Sequence, residues 1–179
     1  MLGVIINDQL TWDPNTESLV KRANARMRLL QLVEFDVPHK DLLNIDVLYV
    51  RSILEQSCQV WHSSLTLENI TDLERIQKNA LKIILKGSYV SYEQALDELK
   101  LESLYDRREL LCLKFAKKCT KSSQVKDMFP INPMLNMKMR HPEKYKVNMA
   151  RTDRLKDSAI PFMQRLLNQD FLDKDQAEQ

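Results

Sequence analysis

Glycine is almost missing from this chain, and that scarcity restricts the folds open to it. The 179 residues contain two glycines, Gly3 and Gly87. Glycine-rich phosphate loops, dinucleotide-binding fingerprints and the nucleophile elbows of hydrolases need closely spaced glycines, so none of these can be present. All-β sandwiches and barrels also need many glycine-bearing turns. The sequence therefore predicts a mainly α protein.

Bulk composition is that of an ordinary folded domain. Hydrophobic residues make up 44% and charged residues 29%, with a formal net charge of +2. Three cysteines without a CxxC pair indicate neither a disulfide framework nor a zinc ribbon. We expect reduced thiols and an intracellular protein, cytoplasmic or nuclear. No stretch approaches 18 uncharged apolar residues, so no membrane partner is expected.

Capping residues and apolar periodicity divide residues 13–121 into five predicted helices. They are predicted at residues 13–34, 39–61, 67–86, 92–99 and 104–121. Thr66, Ser91 and Ser103 are placed as N-terminal caps, and Gly87 is placed as a C-terminal cap. A wide apolar arc predicts that the second helix is central and mostly buried. That arc consists of Leu42, Leu43, Tyr49, Val50, Ile53, Val60 and Trp61.

Both ends of the chain differ from this helical bundle. Residues 2–8 are β-branched and short, which predicts a strand that needs a partner strand and hence a chain that begins inside a larger structure. Prolines make residues 122–157 loop-rich, and one last short helix is predicted to Asn168. Residues 121–168 hold ten basic and four acidic side chains, and the last eleven hold one lysine and four acids. Residues 122–179 are thus a basic extension with an acidic tail.

Basic side chains form two helical stripes and one mixed segment. Arcs of cations can follow a phosphate backbone, and basic residues interleaved with His141 and Tyr145 suit nucleic acid. The other interpretation is a solvated helix face and a solubilising linker. The first stripe is Arg75, Lys78, Lys82 and Lys86; the second is Arg107, Lys114 and Lys118; the segment carries Lys138, Arg140, Lys144, Lys146, Arg151 and Arg154.

No catalytic or metal site is predicted. Cys58 and His62 are four residues apart on one predicted helix, but two ligands do not close a metal site. No carboxylate is placed by a strand or glycine turn as catalysis usually requires. We therefore expect no cofactor, no metal and no enzymatic activity.

Several short motifs share an order along the chain that resembles a known family. They are LGVIIND (residues 2–8) with LTW (10–12), KRANAR (21–26), YVRSILE (49–55) with VWH (60–62), LERIQKNALKII (73–84), RR (107–108) with LCLKF (111–115), and RTDR (151–154) with SAIP (158–161). Together they resemble the region after the palm in reverse transcriptases of jockey-like non-LTR retrotransposons. The resemblance covers nearly the whole chain.

The resemblance implies a particular division and function. Residues 1–12 would be a remnant of the palm strands, residues 13–121 a thumb-like helical bundle, and residues 122–179 the end of the reading frame. The tyrosine-x-aspartate-aspartate motif of the polymerase centre is missing. The resemblance therefore implies a non-catalytic fragment of an RNA-directed DNA polymerase that at most binds RNA or DNA weakly and without sequence preference.

Two alternatives come from the same sequence. One is a domesticated helical module that binds another protein, and the other is a relic without function. A strand that has lost its neighbour also exposes apolar surface, which favours self-association. That surface is expected around Leu2, Val4, Ile6 and Trp12.

Overall fold

The protein is mainly α, as the glycine content predicts. A computed structural model describes residues 3–133, 143–147 and 149–177. Nine α-helices occur within these residues, and the one β feature there is an isolated bridge between Ile131 and Tyr145. The helices are α1 (Asp13–Val33), α2 (His39–Ile45), α3 (Ser52–Glu55), α4 (Cys58–Trp61), α5 (Leu67–Leu85), α6 (Tyr92–Leu99), α7 (Leu104–Cys119), α8 (Asp153–Lys156) and α9 (Ala159–Ala177).

The chain divides into two compact units. The first unit comprises Met1–Cys58 and Leu65–Arg108, and the second comprises Gln59–Ser64 and Glu109–Gln179. The division falls after Arg108, inside α7, whereas the sequence suggests a boundary near residue 121. The reason is that the second half of α7 has its own apolar partners in the C-terminal region, as described below.

The first unit is built around α1 and α5, which pack against each other. Pro14 lies in the first turn of α1, where a missing N–H costs nothing. Leu19, Ala23 and Leu30 of α1 are buried. The buried face of α5 includes Leu73, Ile76, Ala80, Leu81, Ile84 and Leu85. This burial is the main stabilising term of the unit, because removal of apolar surface from water drives folding.

Side-chain caps begin three helices where the sequence places them. The Oγ atoms of Thr66, Ser91 and Ser103 accept hydrogen bonds from the backbone N–H groups three residues ahead, at 3.1–3.2 Å. The predicted role of Gly87 is wrong, however. Lys86 takes the positive φ of 50° at the end of α5, and Gly87 lies in a short 3-10 turn.

The predicted second helix is not continuous. After α2 the backbone forms a π-helix at Asp46–Arg51, then α3, and Ser57 with a φ of 53° separates α3 from α4. A π turn closes its hydrogen bonds one residue later than an α turn, so it rotates the following side chains. Tyr49 is consequently 55% exposed and Val60 is exposed, against the predicted arc, while Val50 is buried as expected.

The predicted strand at residues 2–8 is absent from residues 3–8, which are irregular. The backbone N–H of Ile5 donates to Asn15 Oδ1 in α1 at 3.1 Å, and that of Thr11 donates to Asn7 Oδ1 at 2.8 Å. Side-chain acceptors from α1 and from the local turn therefore satisfy these groups, and no partner strand is required.

The second unit has its own apolar core. Ala116 and Cys119 of α7 pack with Phe129 and with Met163 and Leu167 of α9. The last helix was predicted to end at Asn168, but α9 continues to Ala177. Phe171 and Leu172 are half-buried in this extension, so the start of the predicted acidic tail belongs to a packed helix. Between α7 and α8 the described residues hold one 3-10 turn, Lys126–Met128.

Candidate nucleic-acid interface

The first predicted stripe lies on the exposed side of α5. Its apolar face is turned to the core, so the arc that carries Arg75, Lys78, Lys82 and Lys86 faces solvent, and all four are exposed. Arg75 forms an ion pair with Asp72 at 2.9 Å, one turn earlier on the same helix. The positive charge of Arg75 is therefore locally compensated, whereas the three lysines form no ion pair among the described residues.

Each of these three lysines lies against an aromatic ring. Such cation–π contacts orient the ammonium group without neutralising its charge. We call these six residues the lysine–aromatic row: Lys78 Nζ lies 4.9 Å from the ring centroid of Tyr92, Lys82 Nζ 5.6 Å from that of Tyr89, and Lys86 Nζ 4.5 Å from that of Phe35.

Both ends of the lysine–aromatic row have further fixed contacts. The hydroxyl of Tyr92 donates to Glu74 Oε2 at 2.6 Å. Burial and this hydrogen bond raise the pKa of Tyr92 well above its usual range, so the hydroxyl remains a donor. At the other end, Lys86 Nζ donates to the backbone oxygen of Glu34 at 2.5 Å, while Phe35 is 81% exposed. The row is thus an ordered surface that ends in an exposed ring.

The residues of the second predicted stripe lie on α7 but differ in exposure and in partners. Arg107 is half-buried, with Nε 3.5 Å from Glu55 Oε1 and a second contact to Glu102 at 4.0 Å. Lys114 and Lys118 are exposed and belong to the second unit. Arg107 therefore takes part in an ion pair of the first unit. The sequence did not indicate this, because Glu55 lies 52 residues away.

Around Arg107 the first unit contains a partly buried ionic cluster, formed by Arg51, Glu55 and Arg107. Arg51 Nε lies 2.9 Å from Glu55 Oε1, and its Nη2 donates to the backbone oxygen of Glu102 at 3.1 Å. That same oxygen accepts a hydrogen bond from Gln77 Nε2 at 3.1 Å. The cluster thus ties the α3 region to α5 and to the start of α7.

Asp46 is a second buried charge that sequence reasoning missed. It lies at the first position of the π-helix and is 2% exposed. Burial raises the pKa of Asp46 to about 7, although the positive charge of Arg51 acts in the opposite direction. The sequence does place this aspartate among the apolar residues of the predicted second helix, and that position could have indicated a buried carboxyl group. π-Helical turns are often found at functional sites.

Candidate residues of the C-terminal segment are dispersed. Lys138 and Arg140 lie outside the described residues, as does His141. Lys146, Arg151 and Arg154 are exposed. Lys144 is half-buried and lies against two aromatic rings of the second unit, Phe171 at 5.3 Å and Tyr145 at 5.9 Å.

Metal-binding geometry is not found in the described part of the chain. No group of three or more histidine, cysteine, aspartate or glutamate side chains there is arranged to hold a metal ion. Cys58 is buried with Sγ 4.0 Å from the backbone oxygen of Arg108, and His62 meets Phe162 edge-on at 5.8 Å. The three cysteines form no disulfide. Among the same residues, no helix has the length and apolar character needed to cross a membrane.

Comparison with known proteins identifies no relative. No protein-family model, no curated protein and no solved structure matches this chain. The resemblance to retrotransposon reverse transcriptases therefore stays a prediction.

Proposed function

We propose that the chain is a non-catalytic helical domain of the retroelement reverse-transcriptase type, which binds the phosphate backbone of RNA or DNA weakly and without sequence preference. The observation that carries the proposal is the lysine–aromatic row. Three exposed lysines form no ion pair with a carboxylate in the described residues, so no acidic neighbour competes with a phosphate for them. Lys78 and Lys82 lie one turn apart on α5, about 6 Å along its axis, and Lys86 follows directly after the end of the helix.

Each part of the row has a distinct role in this proposal. Lysines that neutralise phosphates release counterions, which supplies affinity without reading the bases. The exposed ring of Phe35 is suited to stack on an unpaired base, an interaction that tolerates any base. The ordered motif series that resembles reverse transcriptases supports the same class of ligand.

The experiment measures fluorescence anisotropy of a labelled 20-mer, duplex and single-stranded, over a range of salt concentrations. Three phosphate contacts give a slope of log affinity against log salt of about −2.7 on duplex. The double variant Lys78→Gln/Lys82→Gln keeps helix propensity and removes two contacts, so the slope should shrink by about 1.8. Base composition of the 20-mer should not alter this result.

A matched variant controls for net charge. Lys21→Gln/Lys40→Gln removes two exposed lysines from α1 and α2 of the same unit. It should keep the parent slope, because neither residue belongs to the lysine–aromatic row. Equal slopes for the parent and Lys78→Gln/Lys82→Gln would refute the proposal and leave the three lysines as a solvated helix face.

A second candidate function is self-association through the N-terminal segment. Ile6 is 62% exposed, and Ile5 and Leu10 are exposed beside it in sequence. Val4 and Trp12, which were expected to be exposed, are half-buried, and Leu2 lies outside the described residues. An apolar surface of this kind favours association with a second copy or with another protein.

Sedimentation velocity over the same salt range separates the two candidates. Apolar association persists as salt rises, whereas backbone binding weakens. Ile6→Ser/Leu10→Ser should abolish any dimer if the N-terminal segment forms it. A monomeric parent at about 100 μM would remove this candidate, since specific dimers are populated at such concentrations.

A further inference from the structure

The second unit contains a basic pocket of about 310 Å³. It lies where the end of α7, residues 144–145 and α9 meet. Among the described residues, four lysines line it against a single carboxylate, that of Asp170. We call it the lysine pocket: Lys117, Thr120, Lys121, Lys144, Tyr145, Leu167, Asp170, Phe171 and Lys174.

A buried amide holds the wall of the lysine pocket in place. Asn168 of α9 is buried, and its Oδ1 accepts a hydrogen bond from the backbone N–H of Tyr145 at 2.7 Å. Its Nδ2 donates to the backbone oxygen of Tyr145 at 2.9 Å. This reciprocal pair fixes the segment that carries Lys144, so the pocket is formed without a ligand.

Two of the four lysines share the carboxylate. Lys117 Nζ lies 2.6 Å from Asp170 Oδ1, and Lys174 Nζ lies 2.9 Å from Asp170 Oδ2. Burial alone would raise the pKa of Asp170, but the hydrogen bonds and charges of the two lysines outweigh it and hold the pKa below its usual range. Asp170 thus remains ionised and positions two ammonium groups at one side of the pocket.

The other two lysines have no acidic partner among the described residues. Lys121 follows α7 and is exposed. Lys144 is half-buried, and its ammonium group is held over the rings of Phe171 and Tyr145. An ammonium group that is partly removed from water and not neutralised gains the most from an incoming anion.

We propose that the lysine pocket binds a phosphate group. A phosphate monoester carries about two negative charges at neutral pH and three acceptor oxygens, for which the lysine-rich lining supplies cationic donors. Lysines bind phosphate as point charges and need no fork geometry. A pocket of this volume is at the lower end for small-molecule sites and has room for a phosphate group together with part of the molecule that carries it. This proposal goes beyond the proposed function, since the lysine pocket and the lysine–aromatic row share no residue.

The experiment follows inorganic phosphate binding to the full chain by ³¹P NMR and by calorimetry. The variant Lys121→Gln/Lys144→Gln removes the two lysines without a carboxylate partner and should weaken phosphate binding at least about tenfold, since each forms a hydrogen bond to a charged group. Lys121→Gln alone changes only an exposed side chain, so it provides a variant that folds as the parent does, with a smaller loss in the same direction.

Lys126→Gln/Lys156→Gln is the matched control, because both residues are exposed on the second unit outside the pocket. It should keep the parent affinity. Lys78→Gln/Lys82→Gln should also keep it, which makes failure of this proposal distinct from failure of the proposed function. No detectable phosphate binding by the parent, or equal binding by parent and Lys121→Gln/Lys144→Gln, would overturn the proposal.

Competition identifies the source of the phosphate. Adenosine 5′-monophosphate supplies a free monoester, and an oligonucleotide with 5′- and 3′-hydroxyl ends supplies only internal diesters. Displacement of inorganic phosphate by the mononucleotide alone assigns the lysine pocket to phosphorylated small molecules. Displacement by the oligonucleotide as well assigns it to nucleic-acid backbone.

Discussion

The two units of this chain differ in whether they bury aspartate and arginine side chains. Within the described residues, the first unit buries Asp46, Arg51 and Arg108 in addition to the amides Asn15, Asn69 and Gln77. The second unit buries the amides Gln164 and Asn168, together with His62. The side chain of Asn168 forms hydrogen bonds to both backbone groups of Tyr145, and Gln164 Nε2 donates to the backbone oxygen of Met128 at 2.8 Å.

Some charged side chains in this chain stabilise the fold, and others are accessible to a ligand. Arg51 and Arg107 are committed to Glu55 inside the first unit. The second unit uses uncharged amides for the same structural task, and its lysines line an open pocket. Position along a helix therefore does not tell a structural cation from a binding cation, whereas the burial and partner of each cation do.

The largest expected effect concerns Asp46. Its folded pKa of about 7 exceeds the ordinary value of 3.8, so the folded state holds a proton that the unfolded state has released at intermediate pH. The stability from that proton is fully present below about pH 4 and is lost as pH rises through about 7. The loss is on the order of 4 kcal/mol by pH 8.

Asp46→Asn keeps the shape and cannot ionise. Its free energy of unfolding should exceed that of the parent by about 4 kcal/mol at pH 8 and by only about 1 kcal/mol at pH 4.5, as measured by urea unfolding. Asp41→Asn, which changes an exposed residue of α2, should follow the parent at both pH values. Parallel pH curves for the parent and Asp46→Asn would show that the two units do not differ in buried charge.

A smaller effect is expected for Asn168→Ala in the second unit. It removes both hydrogen bonds to Tyr145 and should destabilise the chain by about 2 kcal/mol. An amide does not titrate, so the loss should be equal at pH 4.5 and pH 8 in urea unfolding. The neighbouring exposed change Gln169→Ala should have almost no effect. A loss that varies with pH would contradict the comparison.

The smallest effect is expected for Arg107→Gln. The ion pairs of Arg107 are partly exposed and weak, so the cost is about 0.5 kcal/mol. The salt slope of nucleic-acid binding should be that of the parent, because the guanidinium of Arg107 already contacts the carboxylates of Glu55 and Glu102. If the slope of log affinity against log salt shrinks by about 0.9, Arg107 contacts a phosphate and belongs to the binding surface.

Local chemistry made much of the first unit predictable. Thr66, Ser91 and Ser103 cap helices by contacts within three residues, and the apolar period of α5 is visible in the sequence alone. The exposed positions of Lys78 and Lys82 follow from that period. The helical period does not show whether these lysines bind phosphate, since a helix face that only contacts solvent has the same spacing of lysines.

Features that depend on distant partners were missed. The π-helix cannot be recognised in the sequence, because its backbone rotation depends on which side chains the rest of the unit buries. Arg107 meets Glu55, and Lys117 meets Asp170, across more than fifty residues each. The strand expected at residues 2–8 failed for the same reason, since Asn15 supplies an acceptor that no local pattern indicates.

The π-helix also determines how the chain tolerates a change of length. A turn that closes at the fifth residue contains one residue more than an α turn. Leu48 lies within it and is 66% exposed, while the neighbouring Leu42 and Leu54 are buried. Deletion of Leu48 would convert the wide turn to an ordinary one, whereas a deletion within α5 would turn every later side chain by about 100°. We therefore expect that deletion of one residue from the segment 46–51 destabilises the protein less than deletion of one residue from α5.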